Sequence, residues 1–314
     1  MNKLESRIDI STDVLIILSG RISRTVRLAI FEWRNLMNKR RTSFILIAIL
    51  VFACFATSAI AGSPAPINAS CWQDSPELNA VFASANVTGT FVLYDTVTNS
   101  FIGHNRPRAE TRFVPASTFK ITNTLIGLTV GSVADVDTIL PFGGKPQPIK
   151  SWERDMNLRE AMPISNIPIY QELARRTGLE KMRTYLALMQ YGNQEPGDIV
   201  DRFWLDGPIQ ISAVEQTLFL AALAKNKLPL TESVQAATRE IMLLEQGDDW
   251  ILYGKTGTAT CYPEPLGWWV GWVEKSGIPY VFALNIDMPG ADDARKRVEI
   301  GKTCLKILGI LFSQ

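Results

Sequence analysis

Strand-like segments near both ends of the chain enclose a long helical middle, and this order constrains the fold more than any other feature. Thr88 to Asp95 (TGTFVLYD) and Phe101 to Asn105 read as two strands, joined by a polar turn around Thr98-Asn99. Comparable segments return only at Trp250–Thr258, Gly267–Glu274 and Tyr280–Asp287. Between them, apolar residues recur at helical spacing over 117–130, Ile169–Arg176, Leu179–Met189, Ala213–Ala224 and Ser233–Leu244. A last amphipathic helix is expected over about Ala294–Leu311. Strands so far apart in sequence share a sheet only if the two ends of this region meet. The expected fold is α+β: an antiparallel sheet formed from both ends and flanked by helices, with a helical subdomain inserted over about residues 116–247. A ligand crevice is expected between the two parts. With 314 residues, 46% of them hydrophobic, the chain can fill such a core.

The first 61 residues lie outside this pattern. Asn38-Lys39-Arg40-Arg41 precedes the apolar run Phe44–Phe55, and Ala59-Ile60-Ala61 closes it. A basic start, an apolar stretch and an Ala-x-Ala site in that order predict an export signal over residues 37–61, opened by Met37 and removed in the periplasm. Residues 1–36 then read as a misassigned upstream start, and residues 62–314 as the mature domain. The competing reading is an uncleaved anchor, since Thr42–Ile60 is nearly long enough to span a bilayer. A lipid attachment at Cys54 is disfavoured by bulky Phe52. The mature chain keeps Cys71, Cys261 and Cys304; export permits a disulfide, and Cys71 with Cys304 would join the two ends. Nine of the 32 Lys/Arg but only four of the 31 acids fall in residues 1–41, so the rest carries −4 and offers no basic surface for nucleic acid. After signal cleavage no membrane contact is expected, and a homodimer is an allowed state.

Two short motifs carry chemistry. Ser117-Thr118-Phe119-Lys120 is the only Ser-x-x-Lys in the chain, and Lys255-Thr256-Gly257 follows near its end. At helical spacing, residues three apart share a face, so the Lys120 amine can lie beside the Ser117 hydroxyl. Pro115 and Ala116 suggest that Ser117 opens the helix, where free N–H groups favour developing negative charge. A serine hydroxyl is a poor nucleophile until a neighbouring base activates it. His104 is the single histidine, which excludes a multi-histidine zinc site and leaves lysine as the better base. No metal is expected, and no Cys-x-x-Cys occurs.

Across the mature region the chain resembles the class D serine β-lactamases, or oxacillinases. The blocks that carry the resemblance are PASTFK (Pro115–Lys120), Ser165-Asn166-Ile167, Tyr191-Gly192-Asn193, FWLDGPIQIS (Phe203–Ser212), GKTGT (Gly254–Thr258) and GWWVGWVE (Gly267–Glu274). The resemblance implies hydrolysis of penicillin-type antibiotics through an acyl group on Ser117. Lys120 would be N-carboxylated by carbon dioxide or bicarbonate and act as general base, with no other cofactor. Carboxylation needs a neutral amine, hence a depressed pKa in an apolar pocket, which Phe119, Ile167 and Trp204 would build. The Trp204 indole N–H would donate to the carbamate. Ser165 would relay a proton to the lactam nitrogen, and Lys255 would supply positive field. Thr256 and Arg297 would hold the substrate carboxylate, with Arg295 the alternative arginine. The backbone N–H groups of Ser117 and Thr258 would form the oxyanion hole. Tyr191-Gly192-Asn193 reads as structural at least as much as catalytic. One departure stands out: Ile167 occupies a position that is usually valine in the family, and its extra methylene is expected to narrow water entry for bulky substrates. A penicillin sensor or transpeptidase, which acylates without rapid turnover, is the alternative.

Overall fold

The computed structural model describes residues 72–260, 265–290 and 293–311. The export segment, Cys54, Cys71 and Cys261 lie outside the described residues. Seven strands form one sheet: β1 (Trp72–Asp74), β2 (Gly89–Asp95), β3 (Ser100–His104), β4 (Leu243–Gln246), β5 (Trp250–Ala259), β6 (Leu266–Lys275) and β7 (Ile278–Asp287). Their order is β1-β3-β2-β7-β6-β5-β4. The two ends of the domain meet where β2 pairs with β7, from Gly89 opposite Ile286 to Asp95 opposite Tyr280. The sheet is mixed rather than wholly antiparallel, because β1 runs parallel to β3. Three residues are too few to display an alternating pattern, so this strand carries no sequence signal.

Among the described residues the α-helices, in chain order, are α1 (Pro76–Ala85), α2 (Arg106–Glu110), α3 (Lys120–Thr129), α4 (Leu158–Ala161), α5 (Ile167–Thr177), α6 (Leu179–Leu188), α7 (Phe203–Asp206), α8 (Ala213–Ala224), α9 (Glu232–Glu240) and α10 (Asp293–Ile307). Five of these starts carry a side-chain cap, from Ser75, Asn105, Asn157, Asn166 and Ser212. The Ser75 hydroxyl accepts from Leu78 N at 3.3 Å to begin α1, and Ser212 with Glu215 forms a reciprocal capping box at α8. Helix α9 stops at Glu240, short of the expected Leu244. Leu243 and Leu244 instead join exposed edge strand β4, even though they continue the apolar pattern of the helix.

Helix α8 packs on β2, β6 and β7, while α1 and α10 pack on each other and α10 on β6 and β7. Leu78, Phe82, Phe91, Trp269, Phe282, Ile300 and Cys304 share one buried cluster there. Each fully buried Leu or Phe in such a cluster contributes roughly 1.5–3 kcal/mol. Cys304 is a free thiol in this core, its pKa pushed up to about 12 by burial, and its suggested partner Cys71 lies outside the described residues. Among the described residues no helix is long and apolar enough to cross a membrane.

Candidate active site

Ser117 does not open an α-helix. It lies in a 3₁₀ turn, Ala116–Phe119, and the α-helix begins at Lys120. Ala116, just before Ser117, has a left-handed φ of +49°, so no right-handed helix continues backwards past it. The i, i+3 spacing still does its work: Lys120 Nζ and Ser117 Oγ are hydrogen-bonded at 2.8 Å. Lys120 has no exposed surface and Ser117 only 8%. Burial, and then the nearby charge of Lys255, hold the Lys120 amine well below the ordinary lysine range.

An aromatic cluster gathers on Phe119, the residue before Lys120. The Phe119 ring stacks on Trp204 at 5.4 Å and meets Phe203 and Tyr191 edge-on at 5.0 and 5.7 Å. Lys120 Nζ stands 5.3 Å from the centre of the Tyr170 ring. Trp204 is fully buried, and its indole Nε1 has no hydrogen-bond partner. A buried N–H without an acceptor is costly, so this atom marks a place suited to an anion. Ile167 is half-buried at the first position of α5, a helix packed on α3.

A second serine–lysine pair faces the first. Lys255, in the middle of β5 and 3% exposed, donates from Nζ to Ser165 Oγ and to Thr256 O, both at 2.9 Å. Ser165 is itself left-handed, with φ +59°. Burial and the positive charge of Arg297 lower the Lys255 pKa to about 7. Arg297 projects from α10 and donates from one terminal nitrogen to Gly257 O at 2.9 Å and Thr258 Oγ1 at 2.6 Å. Its Nε is buried without a partner, and burial lowers its pKa to about 10. Arg295 is exposed, so the structure brings Arg297 and not Arg295 to β5. Thr256 is half-buried and Thr258 exposed on the same strand. Strand β5 runs close against the nucleophile turn: a Cβ added at Gly257 would lie 3.0 Å from Pro115 O and 3.1 Å from Thr118 Cγ2.

His104 is engaged elsewhere, stacked on Phe82 at 4.2 Å and hydrogen-bonded through Nδ1 to Asn79 Oδ1 at 2.5 Å. Asn193 staples a loop, donating to Pro208 O and accepting from Gln210 N, each at 2.9 Å. Among the described residues no group of three His, Cys, Asp or Glu could hold a metal ion. Sequence reasoning missed the supports of the turn. Phe113 and Ile211 exchange backbone hydrogen bonds at 3.0 and 2.9 Å, Trp268 Nε1 donates to Val114 O at 2.9 Å, and Arg112 pairs with Glu215. All three join residues far apart in sequence and leave no local signal.

A sheet closed where β2 pairs with β7, with a buried Ser-x-x-Lys facing a Lys-Thr-Gly strand, defines a serine acyl-transfer site. Residues 89–306 match the family described as the penicillin binding protein transpeptidase domain. Within it, the chain is 41% identical over 254 residues to β-lactamase OXA-48 of Klebsiella pneumoniae, covering 81% of this chain and 95% of that one. It is 37% identical to β-lactamase OXA-5 of Pseudomonas aeruginosa over 270 residues, 85% of this chain and 98% of the relative. The solved structure of FUS-1 (OXA-85), a class D β-lactamase from Fusobacterium nucleatum subsp. polymorphum, superposes with a TM-score of 0.75. That alignment has 41% identity and covers 76% of this chain and 100% of the other. The chain belongs to the class D β-lactamases.

Proposed function

We propose that the chain hydrolyses the β-lactam ring of penicillin-type antibiotics through an acyl-enzyme on Ser117. The observation that carries this reading is the buried Lys120 amine, 2.8 Å from Ser117 Oγ. Lys120 takes the Ser117 Oγ proton as Oγ bonds to the lactam carbonyl carbon; the ring C–N bond then breaks, and Ser165 passes a proton to the departing nitrogen. Lys255, bonded to Ser165, returns that proton and adds positive field. The backbone N–H groups of Ser117 and Thr258 take the oxyanion, and Arg297 with Thr256 holds the substrate carboxylate. Water then attacks the ester carbonyl, its proton passing by way of Lys120 to the leaving Ser117 Oγ, and the ring-opened acid is released.

Lys120 fits carboxylation by carbon dioxide. Burial favours the neutral, reactive form of its amine, Phe119 and its ring partners surround it with apolar surface, and Trp204 Nε1 offers an unused donor. Carboxylated, this lysine supplies an anionic base next to Ser117. Export through residues 37–61 to the periplasm completes the proposal and would place the enzyme where β-lactams meet the cell wall.

The test is kinetic. Ser117→Ala should abolish turnover of a penicillin, while Lys255→Ala should slow acylation by about 100-fold or more, in line with the loss of one transition-state electrostatic group. Undiminished hydrolysis by Ser117→Ala would mean another nucleophile.

A further inference from the structure

We infer that Gln216 and Thr118 are a positioning pair that sets the peptide before the nucleophile, and through it the aim of Ser117 N–H and Oγ. The pivot is the Pro115 carbonyl. It accepts from Thr118 N at 3.2 Å and from Thr118 Oγ1 at 2.7 Å. Gln216 Nε2 in turn donates to Thr118 Oγ1 at 2.9 Å. A hydroxyl has one hydrogen and two acceptor positions. With the glutamine amide filling an acceptor position, the Thr118 hydrogen is directed to Pro115 O.

The next residue is Ala116, whose left-handed φ persists only because its surroundings over-determine it. Those surroundings are visible from both sides. Strand β5 lies against Pro115 O at Gly257, where an added Cβ would be tight against Pro115 O, Thr118 Cγ2 and Trp268 Cβ at 3.0, 3.1 and 3.2 Å. Helix α8 reaches the same carbonyl through Gln216 and Thr118, each 1% exposed. The α8 end is itself fixed, since Glu215, one residue before Gln216, caps the helix and pairs with Arg112 on the segment leading into the turn. Gln216 is not placed to touch substrate; it acts through Thr118, and Thr118 through the 115–116 peptide.

The inference rests on Ser117 as the nucleophile, and the experiment separates the two claims. In the full chain, Thr118→Val, Thr118→Ser, Gln216→Leu, Gln216→Glu and Ser117→Ala are compared by stopped flow with a chromogenic β-lactam. The readouts are the acylation rate constant, the dissociation constant of the non-covalent complex and the melting temperature. Thr118→Val and Gln216→Leu should slow acylation by about 10- to 100-fold while initial binding stays within about twofold, because a misplaced reacting group costs rate, not encounter. Thr118→Ser keeps the hydroxyl and should retain acylation within about threefold. Gln216→Glu turns a donor into an acceptor, draws the Thr118 hydrogen away from Pro115 O, and should be slowed like Gln216→Leu. A purely structural role would lower melting temperature without this dependence on the hydroxyl. Wild-type acylation by folded Gln216→Leu, or equal impairment of Thr118→Ser and Thr118→Val, overturns the inference. Persistent acylation in Ser117→Ala would instead overturn the nucleophile assignment beneath it.

Discussion

At the scale of single residues, the site is governed by where positive charge is tolerated. Three basic side chains, Lys120, Lys255 and Arg297, are drawn together with no carboxylate hydrogen-bonded to them among the described residues, and all three have lowered pKa values. Lys255, at about 7, is half-protonated near neutrality. An anionic ligand beside it raises that value, so binding of a substrate-like carboxylate between about pH 7 and 9 should take up a proton. Calorimetry in two buffers of different ionisation enthalpy reads this uptake; equal heats in both would show that Lys255 does not face the ligand charge. Trp204 supplies the second residue-scale prediction. Labelled bicarbonate should give a carbamate signal in carbon NMR that vanishes in Lys120→Ala and weakens in Trp204→Ala, with the latter accumulating acyl-enzyme. No signal under saturating bicarbonate would leave Lys120 a free amine.

At the scale of elements, the nucleophile turn is held by its neighbours rather than by its own helix. The Phe119 ring ties the turn to α7 through Trp204 and Phe203, and to the 191 loop through Tyr191. Phe119→Ala should cost about 3–5 kcal/mol in urea denaturation, the range for emptying a buried aromatic site. A loss below 1 kcal/mol would mean that the wall collapses to fill the space. The same scale explains what the sequence could show of this site. Ser117 with Lys120, and the Lys255-Thr256-Gly257 strand, were legible because their spacing is local. The choice between Arg297 and Arg295 was not, since it depends on how α10 docks against β5. Nor was Gln216, which meets Thr118 across 98 residues. The left-handed Ala116 has no glycine or asparagine to announce it, and nothing local marks the 3₁₀ turn that delays the α-helix to Lys120.

At the scale of the whole molecule, the sheet could be anticipated from the strand segments at both ends. The parallel edge strand β1 and the exposed edge strand β4 could not, because one is too short and the other apolar without being buried. Stability should carry the mark of the buried lysines. Lys255 titrates near 7 when folded and near 10.4 when unfolded, so between these values the unfolded chain binds more protons and stability rises with pH. Below about pH 7 both states are protonated and this contribution is flat. Without bicarbonate, the unfolding free energy of wild type relative to Lys255→Met should therefore grow from pH 7 to 10; a difference independent of pH would contradict the buried state of Lys255. Export predicts a mature chain beginning near Gly62, read by N-terminal sequencing of periplasmic protein; a product that keeps Phe44–Phe55 would show an anchor.

The central claim is that Ser117 carries a transient acyl group in a catalytic cycle. Time-resolved intact mass spectrometry of the wild-type enzyme with a penicillin, followed by peptide mapping, tests it most directly. The predicted course is a gain of one substrate mass on the peptide holding Ser117, then return to the unmodified mass after many equivalents of ring-opened product have formed. An adduct on another residue, or a permanent adduct after a single equivalent, would contradict it.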